Sequence, residues 1–213
     1  PWGDGELQSS LLGRFNLSNL LAVIAATCQQ GLKLTEVLAL VAQLQPVAGR
    51  MQSITVSSEQ DISVVVDFAH TPDALENALQ ALRPLSNNKL ICVFGCGGDR
   101  DSFKRAPMGK IAAALADIVV LTSDNPRSEN PEMIIAAIAA GMRGAKSVHL
   151  QTNREQAIKF AIAQASPGDT VLIAGKGHEC EQIFAEHSIA FSDVEQAVIA
   201  VRNRAANLLE ATK

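Results

Sequence analysis

From residue 48 onward, short runs of Val, Ile and Leu alternate with longer segments whose apolar residues recur at helical spacing. The runs predict strands over 50–57, 62–67, 89–94, 117–122, 147–150 and 170–174. They are apolar nearly throughout, as in strands covered on both faces. The helices between them have legible starts. Thr71-Pro72 and Asn130-Pro131 each place a capping side chain before a proline at the first helical position. Asn153 opens a further helix, and Ser192-x-x-Glu195 forms a capping box ahead of the last one. A short hairpin is expected within 181–191. This alternation with short connections predicts an α/β fold: a Rossmann-like, doubly wound, mostly parallel six-stranded sheet flanked by helices.

Residues 1–48 read differently. An extended piece from Glu6 to Leu12 leads to Phe15-Asn16-Leu17-Ser18-Asn19, which is expected to cap an alanine-rich helix near 18–29, and a second helix is expected over 35–44. Two helices and half a hairpin cannot bury a core alone, so this part is expected to pack on the next unit or on further polypeptide. No initiator methionine opens the chain, and Pro-Trp-Gly-Asp-Gly-Glu reads as the middle of a turn, which suggests a fragment.

In doubly wound sheets, ligands sit beyond the carboxyl ends of the strands. Four polar clusters follow apolar strands here: Asp67–Asp73, Gly95–Arg105, Ser123–Glu129 and Gly175–Glu179. The fold would bring all four to one rim, and that convergence is the strongest argument for a site. Composition narrows what the site can meet. With 18 Lys and Arg against 22 acids, the net charge of −4 argues against a nucleic-acid partner. No apolar run approaches the roughly 20 residues needed to span a bilayer. Cys28, Cys92, Cys96 and Cys180 sit in or beside apolar stretches without zinc spacing, and are expected as buried reduced thiols of a cytoplasmic protein.

Each cluster carries specific chemistry. Gly95-Cys-Gly-Gly-Asp-Arg100 would let backbone approach a ligand closely, but Arg100 stands where the dinucleotide fingerprint needs its third glycine. This disfavours a nicotinamide-dependent oxidoreductase. Ala174-Gly-Lys-Gly-His-Glu179 lacks the spacing of a Walker phosphate loop, as does every other part of the chain. His178 reads as a satisfied structural histidine, whereas Glu179 could hold an ammonium group. Asp67 and His70 sit at a strand end, yet no serine or cysteine elbow accompanies them, which disfavours a hydrolase. Arg127 lies in a loop stiffened by Pro126 and Pro131, beside the start of a helix. A stiff cation beside a helix N-terminus suits an anion.

Five motifs in this order resemble the C-terminal part of the Mur ligases. They are Gly-Arg-Met (49–51), Asp-Phe-Ala-His-Thr-Pro-Asp (67–73), Gly-Cys-Gly-Gly-Asp-Arg-Asp (95–101), Asp-Asn-Pro-Arg (124–127) and Gly-Lys-Gly-His-Glu (175–179). The opening Trp-Gly-Asp-Gly-Glu and Phe-Asn-Leu-Ser-Asn-Leu-Leu are similar to the end of that family's central ATPase domain. The resemblance implies that 1–48 ends a central domain and that 49–213 is the amino-acid-binding domain. It implies an ATP- and Mg2+-dependent amide ligase of peptidoglycan synthesis, a cytoplasmic bacterial protein expected as a monomer. Its partners would be meso-diaminopimelate, ATP, UDP-N-acetylmuramoyl-L-Ala-D-Glu and the missing N-terminal and central domains, with neither nucleic acid nor membrane.

By the same resemblance, Arg100, Asp124, Asn125, Pro126, Arg127, Gly175 and Glu179 form the diaminopimelate pocket. Asn19, Arg50, Asp67, Phe68 and His70 match nucleotide-contacting positions. Phe68 stands where many members carry tyrosine, so only the apolar contact of that position is retained. Lysine-adding members lack the arginine of Asp-Asn-Pro-Arg, which points to the diaminopimelate branch. The family's phosphate loop, magnesium ligands and carbamylated lysine would lie upstream of Pro1, so no catalytic residue or metal ligand is assigned here and the chain alone is expected to be inactive. Alternatives are a non-catalytic amino-acid-binding module, a lysine-adding Mur ligase and a folylpolyglutamate synthetase.

Overall fold

The computed structural model describes residues 2–211, with side chains through Asn207. The chain divides into two compact units, Pro1–Val47 and Ala48–Lys213. The first holds α1 (Arg14–Gln29) and α2 (Leu34–Val41). Leu20, Ile24 and Cys28 of α1 pack with Val37 and Val41 of α2 in a small core. Leu17, Leu21, Val23 and Leu40 remain exposed. The start of α1 differs from expectation. The helix begins four residues earlier, after Gly13 at φ 96°, and makes no side-chain cap. Asn16 and Ser18 instead donate back to the carbonyls of Leu12 and Arg14. The second helix is shorter than 35–44, because residues after Val41 tighten into turns.

The second unit is built on a six-stranded sheet: β1 (Gln52–Ser53), β2 (Ser63–Asp67), β3 (Leu90–Phe94), β4 (Ile118–Leu121), β5 (Val148–Leu150) and β6 (Thr170–Ala174). Their spatial order is β1-β2-β6-β3-β4-β5, with only β1 antiparallel. The expected strand over 50–57 shrinks to two residues, since side chains take over its ladder. Asp67 accepts the Met51 N–H, while the Gln60 amide accepts from Val56 and donates to the carbonyls of Ile54 and Ile62.

Alternation along the strands assigns the two faces. Val64, Val66, Ile91, Val93, Val171 and Ile173 pack against α6 (Arg154–Gln164) and α7 (Asp193–Ala211). On the other face lie α3 (Pro72–Leu82), α4 (Arg105–Leu115) and α5 (Pro131–Ala139), which bury Leu75, Leu79, Met108, Ile134 and Ile138. The predicted caps form: Thr71, Asn130, Asn153 and Ser192 each accept a first-turn N–H. Each such cap contributes about 1 kcal/mol. The hairpin β7 (Glu181–Ile183) and β8 (Ser188–Ala190) follows β6. No helix among the described residues is long and apolar enough to cross a membrane.

Because β6 runs between β2 and β3 while its following helix lies on the opposite face from theirs, the winding reverses on both sides of β6. Such switch points open crevices at the carboxyl ends of the strands. One buried and one half-buried ion pair stiffen this frame. Arg154 meets Asp193 through two 2.7 Å bonds, and Arg204 joins α7 to Asp61 at 2.6 Å. At the opposite end of the sheet, Asp117 accepts from Arg83 (2.5 Å), Lys146 (2.6 Å) and the Leu90 N–H (2.9 Å).

Burial pushes the Asp117 carboxyl up, but these donors outweigh it and hold the group well below the ordinary carboxylate range. A depressed folded value gives stability that is present above the unfolded value of about 3.9 and is lost as pH falls below it. We expect Asp117→Asn to cost most stability near pH 7, with the difference from the native chain shrinking below about pH 4. Urea unfolding across that range checks this. A difference constant with pH would contradict it.

Candidate active site

Four loops meet at the switch point, each leaving the end of a strand. Residues 68–71 follow β2, 95–104 follow β3, 122–130 follow β4 and 175–180 follow β6. Together they line a cavity of about 340 Å³. Of the residues predicted from sequence, the cavity gathers Arg100, Asp124, Asn125, Arg127, Gly175 and Glu179, with Phe68 and His70 at its edge. Pro126 is buried beside them. Arg50 and Asp67 lie in the same unit, while Asn19 is in the other, exposed on α1.

Close approach of backbone makes the convergence possible. A Cβ on Gly98 would stand 1.9 Å from the Pro126 carbonyl oxygen, so only glycine lets the glycine-rich loop lie on the Asp-Asn-Pro-Arg loop. Gly98 N–H donates to the Asn125 carbonyl, and Arg127 Nη1 donates to the Gly98 carbonyl at 2.8 Å. Asp99, in the left-handed region at φ 52°, accepts from the Ser128 N–H and hydroxyl. Glu129 accepts from the Asp99 N–H and from Arg105 at 2.7 and 2.8 Å. Arg127 itself adopts φ 51°, and its N–H donates to Ile183 of β7. Among the described residues, the guanidinium is bonded only through Nη1, which leaves the rest of its fork for a ligand.

Beneath this clasp lies a buried polar network. Lys176 is fully buried, and its ammonium donates to Asn125 Oδ1 and Glu179 Oε2, both at 2.8 Å. Asn125 Nδ2 donates to the same Glu179 oxygen at 2.9 Å, and its Oδ1 also accepts the Ile183 N–H. Gln182 donates to the Asp124 carbonyl, and Arg154 reaches the carbonyls of Ser123 and Ala174. Burial pushes the Glu179 carboxyl up, yet Lys176, Asn125 and Arg127 together hold it below its ordinary value, so it stays ionised. The cavity thus offers a carboxylate floor at Asp124 and Glu179, with cations Arg100, Lys104 and Arg127 around it. That arrangement suits a small ligand carrying both charge signs.

A second cluster adjoins it. The Arg50 guanidinium lies 4.6 Å from the Phe68 ring centroid, and His70 and His178 flank the same ring at 4.5 and 5.1 Å. An aromatic platform with a cation can stack on a base or meet a phosphate. His178, expected as a satisfied structural histidine, is exposed instead. Asp67 is buried and accepts the Met51 N–H at 2.7 Å; burial raises its carboxyl above the ordinary value against the pull of neighbouring N–H groups and Arg50. Lys104 donates to the His70 carbonyl at 2.8 Å and so joins the two clusters. No group of three His, Cys, Asp or Glu among the described residues could hold a metal ion.

Sequence reasoning missed Arg154 and Gln182, and it placed Lys176, Asp99 and Glu129 in the polar clusters without giving them a role. Lys176 was visible only as the residue between two glycines of the quoted motif, and nothing marked it as buried. The four cysteines are free, but Cys180 is exposed rather than buried because it sits on the loop leading into β7. From the Gly98 contact, Gly98→Ala should destabilise the fold by about 1–3 kcal/mol by forcing two backbones apart. Equilibrium urea unfolding measures this, and native stability in the variant would refute the close-packing argument.

Comparison with known proteins follows the same lines. Residues 49–177 match the family model "Mur ligase, glutamate ligase domain". A ligase of Thermosynechococcus vestitus, UDP-N-acetylmuramoyl-L-alanyl-D-glutamate--2,6-diaminopimelate ligase, is 52% identical over 204 residues, covering 96% of this chain and 41% of its own length. The like-named ligase of Chromobacterium violaceum is 51% identical over 199 residues, covering 92% of this chain and 40% of its own length. A solved structure of an enzyme with that name superposes with a TM-score of 0.73 at 42% identity, covering 95% of this chain and 41% of that one. The chain therefore spans about two fifths of the length of the curated relatives it matches, and it belongs to the Mur ligase family.

Proposed function

We propose that residues 49–213 are the amino-acid-binding domain of a ligase that adds meso-diaminopimelate to UDP-N-acetylmuramoyl-L-Ala-D-Glu in the bacterial cytoplasm. The observation that carries this reading is the pairing of Arg127 and Glu179 in one cavity. Diaminopimelate differs from lysine by a second carboxylate beside its distal ammonium. A guanidinium fork grips that carboxylate with parallel charge-assisted bonds, while the Glu179 carboxylate and the Gly175 carbonyl take the ammonium. Asp124 and Pro126 shape the loop that presents Arg127, and Arg100 supplies a further cation. Asn125 acts chiefly by bracing Glu179, since its amide is already bonded on both sides. The names of the relatives support the same amino acid.

In the reaction we infer for the whole protein, ATP phosphorylates the γ-carboxylate of D-glutamate. The amine of diaminopimelate then attacks the acyl phosphate, forming the amide and releasing phosphate. This domain orients the amine and helps keep water from the acyl phosphate, the kind of contribution that positioning and exclusion make. Arg50, Phe68 and His70 would meet the nucleotide, with Asp67 holding their loop. The metal donors and phosphate loop would be supplied by other polypeptide, in keeping with the absence of a Walker spacing in these 213 residues.

In the full-length protein, Arg127→Ala should lower kcat/KM for diaminopimelate by about 10²–10⁴-fold while leaving the weak use of lysine nearly unchanged. A coupled ADP-release assay with each amino acid checks this. The ratio between the two substrates separates loss of recognition from loss of folding. Native preference for diaminopimelate in the variant would sink the assignment.

A further inference from the structure

A lysine with no exposed surface is unusual, because an ammonium is costly to take out of water unless acceptors surround it. Lys176 has neighbours suited to that need. Its chain runs beneath the cavity between Gly175 and Gly177, and its ammonium reaches Asn125 Oδ1 and Glu179 Oε2 at 2.8 Å each. It is too deep to touch a ligand. Its effect on the cavity must pass through those two residues.

The division of the Glu179 oxygens is informative. Both protein donors, Lys176 Nζ and Asn125 Nδ2, converge on Oε2. Among the described residues no donor reaches Oε1, and the Glu179 side chain is 35% exposed on the cavity side. Asn125 is held in one amide orientation, since its Oδ1 accepts from both Lys176 and the Ile183 N–H. Its Nδ2 is thereby turned toward Glu179.

We propose that Lys176 is a positioning residue for amino-acid recognition: by anchoring one oxygen of Glu179 and the amide oxygen of Asn125, it presents the other Glu179 oxygen to the ammonium group of the incoming diamino acid. The proposal rests on the diaminopimelate reading above. It assigns to a buried lysine the task of setting both the charge and the direction of the carboxylate that meets substrate. Other charges face Glu179 as well. Arg127 and Asp124 come from the loop after β4, Arg100 from the glycine-rich loop, and Arg154 from α6, already paired with Asp193. Lys176 is the cation in direct contact.

The test uses the full-length protein with Lys176→Met, which keeps the chain length and removes the charge. The KM for diaminopimelate should rise about 10- to 100-fold, as for a lost charge-assisted contact, while the KM for ATP changes by less than about twofold. The acid limb of kcat/KM for diaminopimelate should also move to higher pH, because Glu179 loses the cation that favours its ionised form. A merely structural lysine would lower activity evenly across pH, and that result, or an unchanged KM, would overturn the proposal. Should Lys176→Met not fold, Glu179→Gln is compared with the neutral pair Lys176→Met/Glu179→Gln. The double variant should lose no more than about twofold beyond the single one, and a further tenfold loss would overturn the proposal. A native enzyme without diaminopimelate-dependent ADP release would instead defeat the functional reading itself.

Discussion

A buried ammonium has no water to turn to, and the rim of this sheet is organised around satisfying one. Lys176 can be held at zero exposure only if acceptors are brought to it, and those acceptors come from separate loops. Asn125 arrives from the end of β4 and is itself pinned to the hairpin at Ile183. Glu179 closes the same loop that carries Lys176. Leaving the buried ammonium without its acceptors is costly, so the loops cannot drift apart cheaply. Arg154 repeats the device, tying the ends of β4 and β6 through the carbonyls of Ser123 and Ala174 while Asp193 balances its charge.

The fold supplies the place where such a network is useful. Reversal of the winding on either side of β6 leaves a crevice, and parallel strands deliver four loop starts to it together. The loops then divide the work. The glycine-rich loop and the Asp-Asn-Pro-Arg loop are locked face to face by Gly98, Asp99, Glu129 and Arg105, which fixes the direction of the Arg127 fork. The loop after β6 carries the carboxylate. The loop after β2 carries the aromatic cluster of Phe68, to which Lys104 links the amino-acid side through the His70 carbonyl. Opposite charges held a fixed distance apart form a template for a zwitterionic end group, and this is a stronger constraint on the ligand than either charge alone.

Much of this was legible in the sequence, for physical reasons that differ by element. Strands buried on both faces announce themselves as unbroken runs of Val, Ile and Leu, and β2, β3, β4 and β6 fall within about a residue of where those runs predict them. Thr71, Asn130 and Asn153 were recognisable because a capping side chain acts on its own local backbone. The convergence of four polar clusters followed from topology. What stayed hidden depends on contacts distant in sequence. β1 was overestimated because, beyond its short pairing with β2, the Gln60 amide and the Asp67 carboxylate take the flanking hydrogen bonds. The start of α1 was misplaced because Gly13, rather than a polar cap, sets it. Lys176 and Arg154 escaped notice because local pattern places lysine and arginine outside, and only the assembled network makes their burial affordable.

The central claim is that Arg127 and Glu179 read the two charges at the distal end of diaminopimelate. A crystal structure of the full-length protein with meso-diaminopimelate tests it most directly. The account predicts the distal carboxylate against the Arg127 guanidinium, with the adjacent ammonium on the Glu179 oxygen that Lys176 leaves free. An amino acid bound with its distal carboxylate away from Arg127, or with its ammonium on another group, would contradict it.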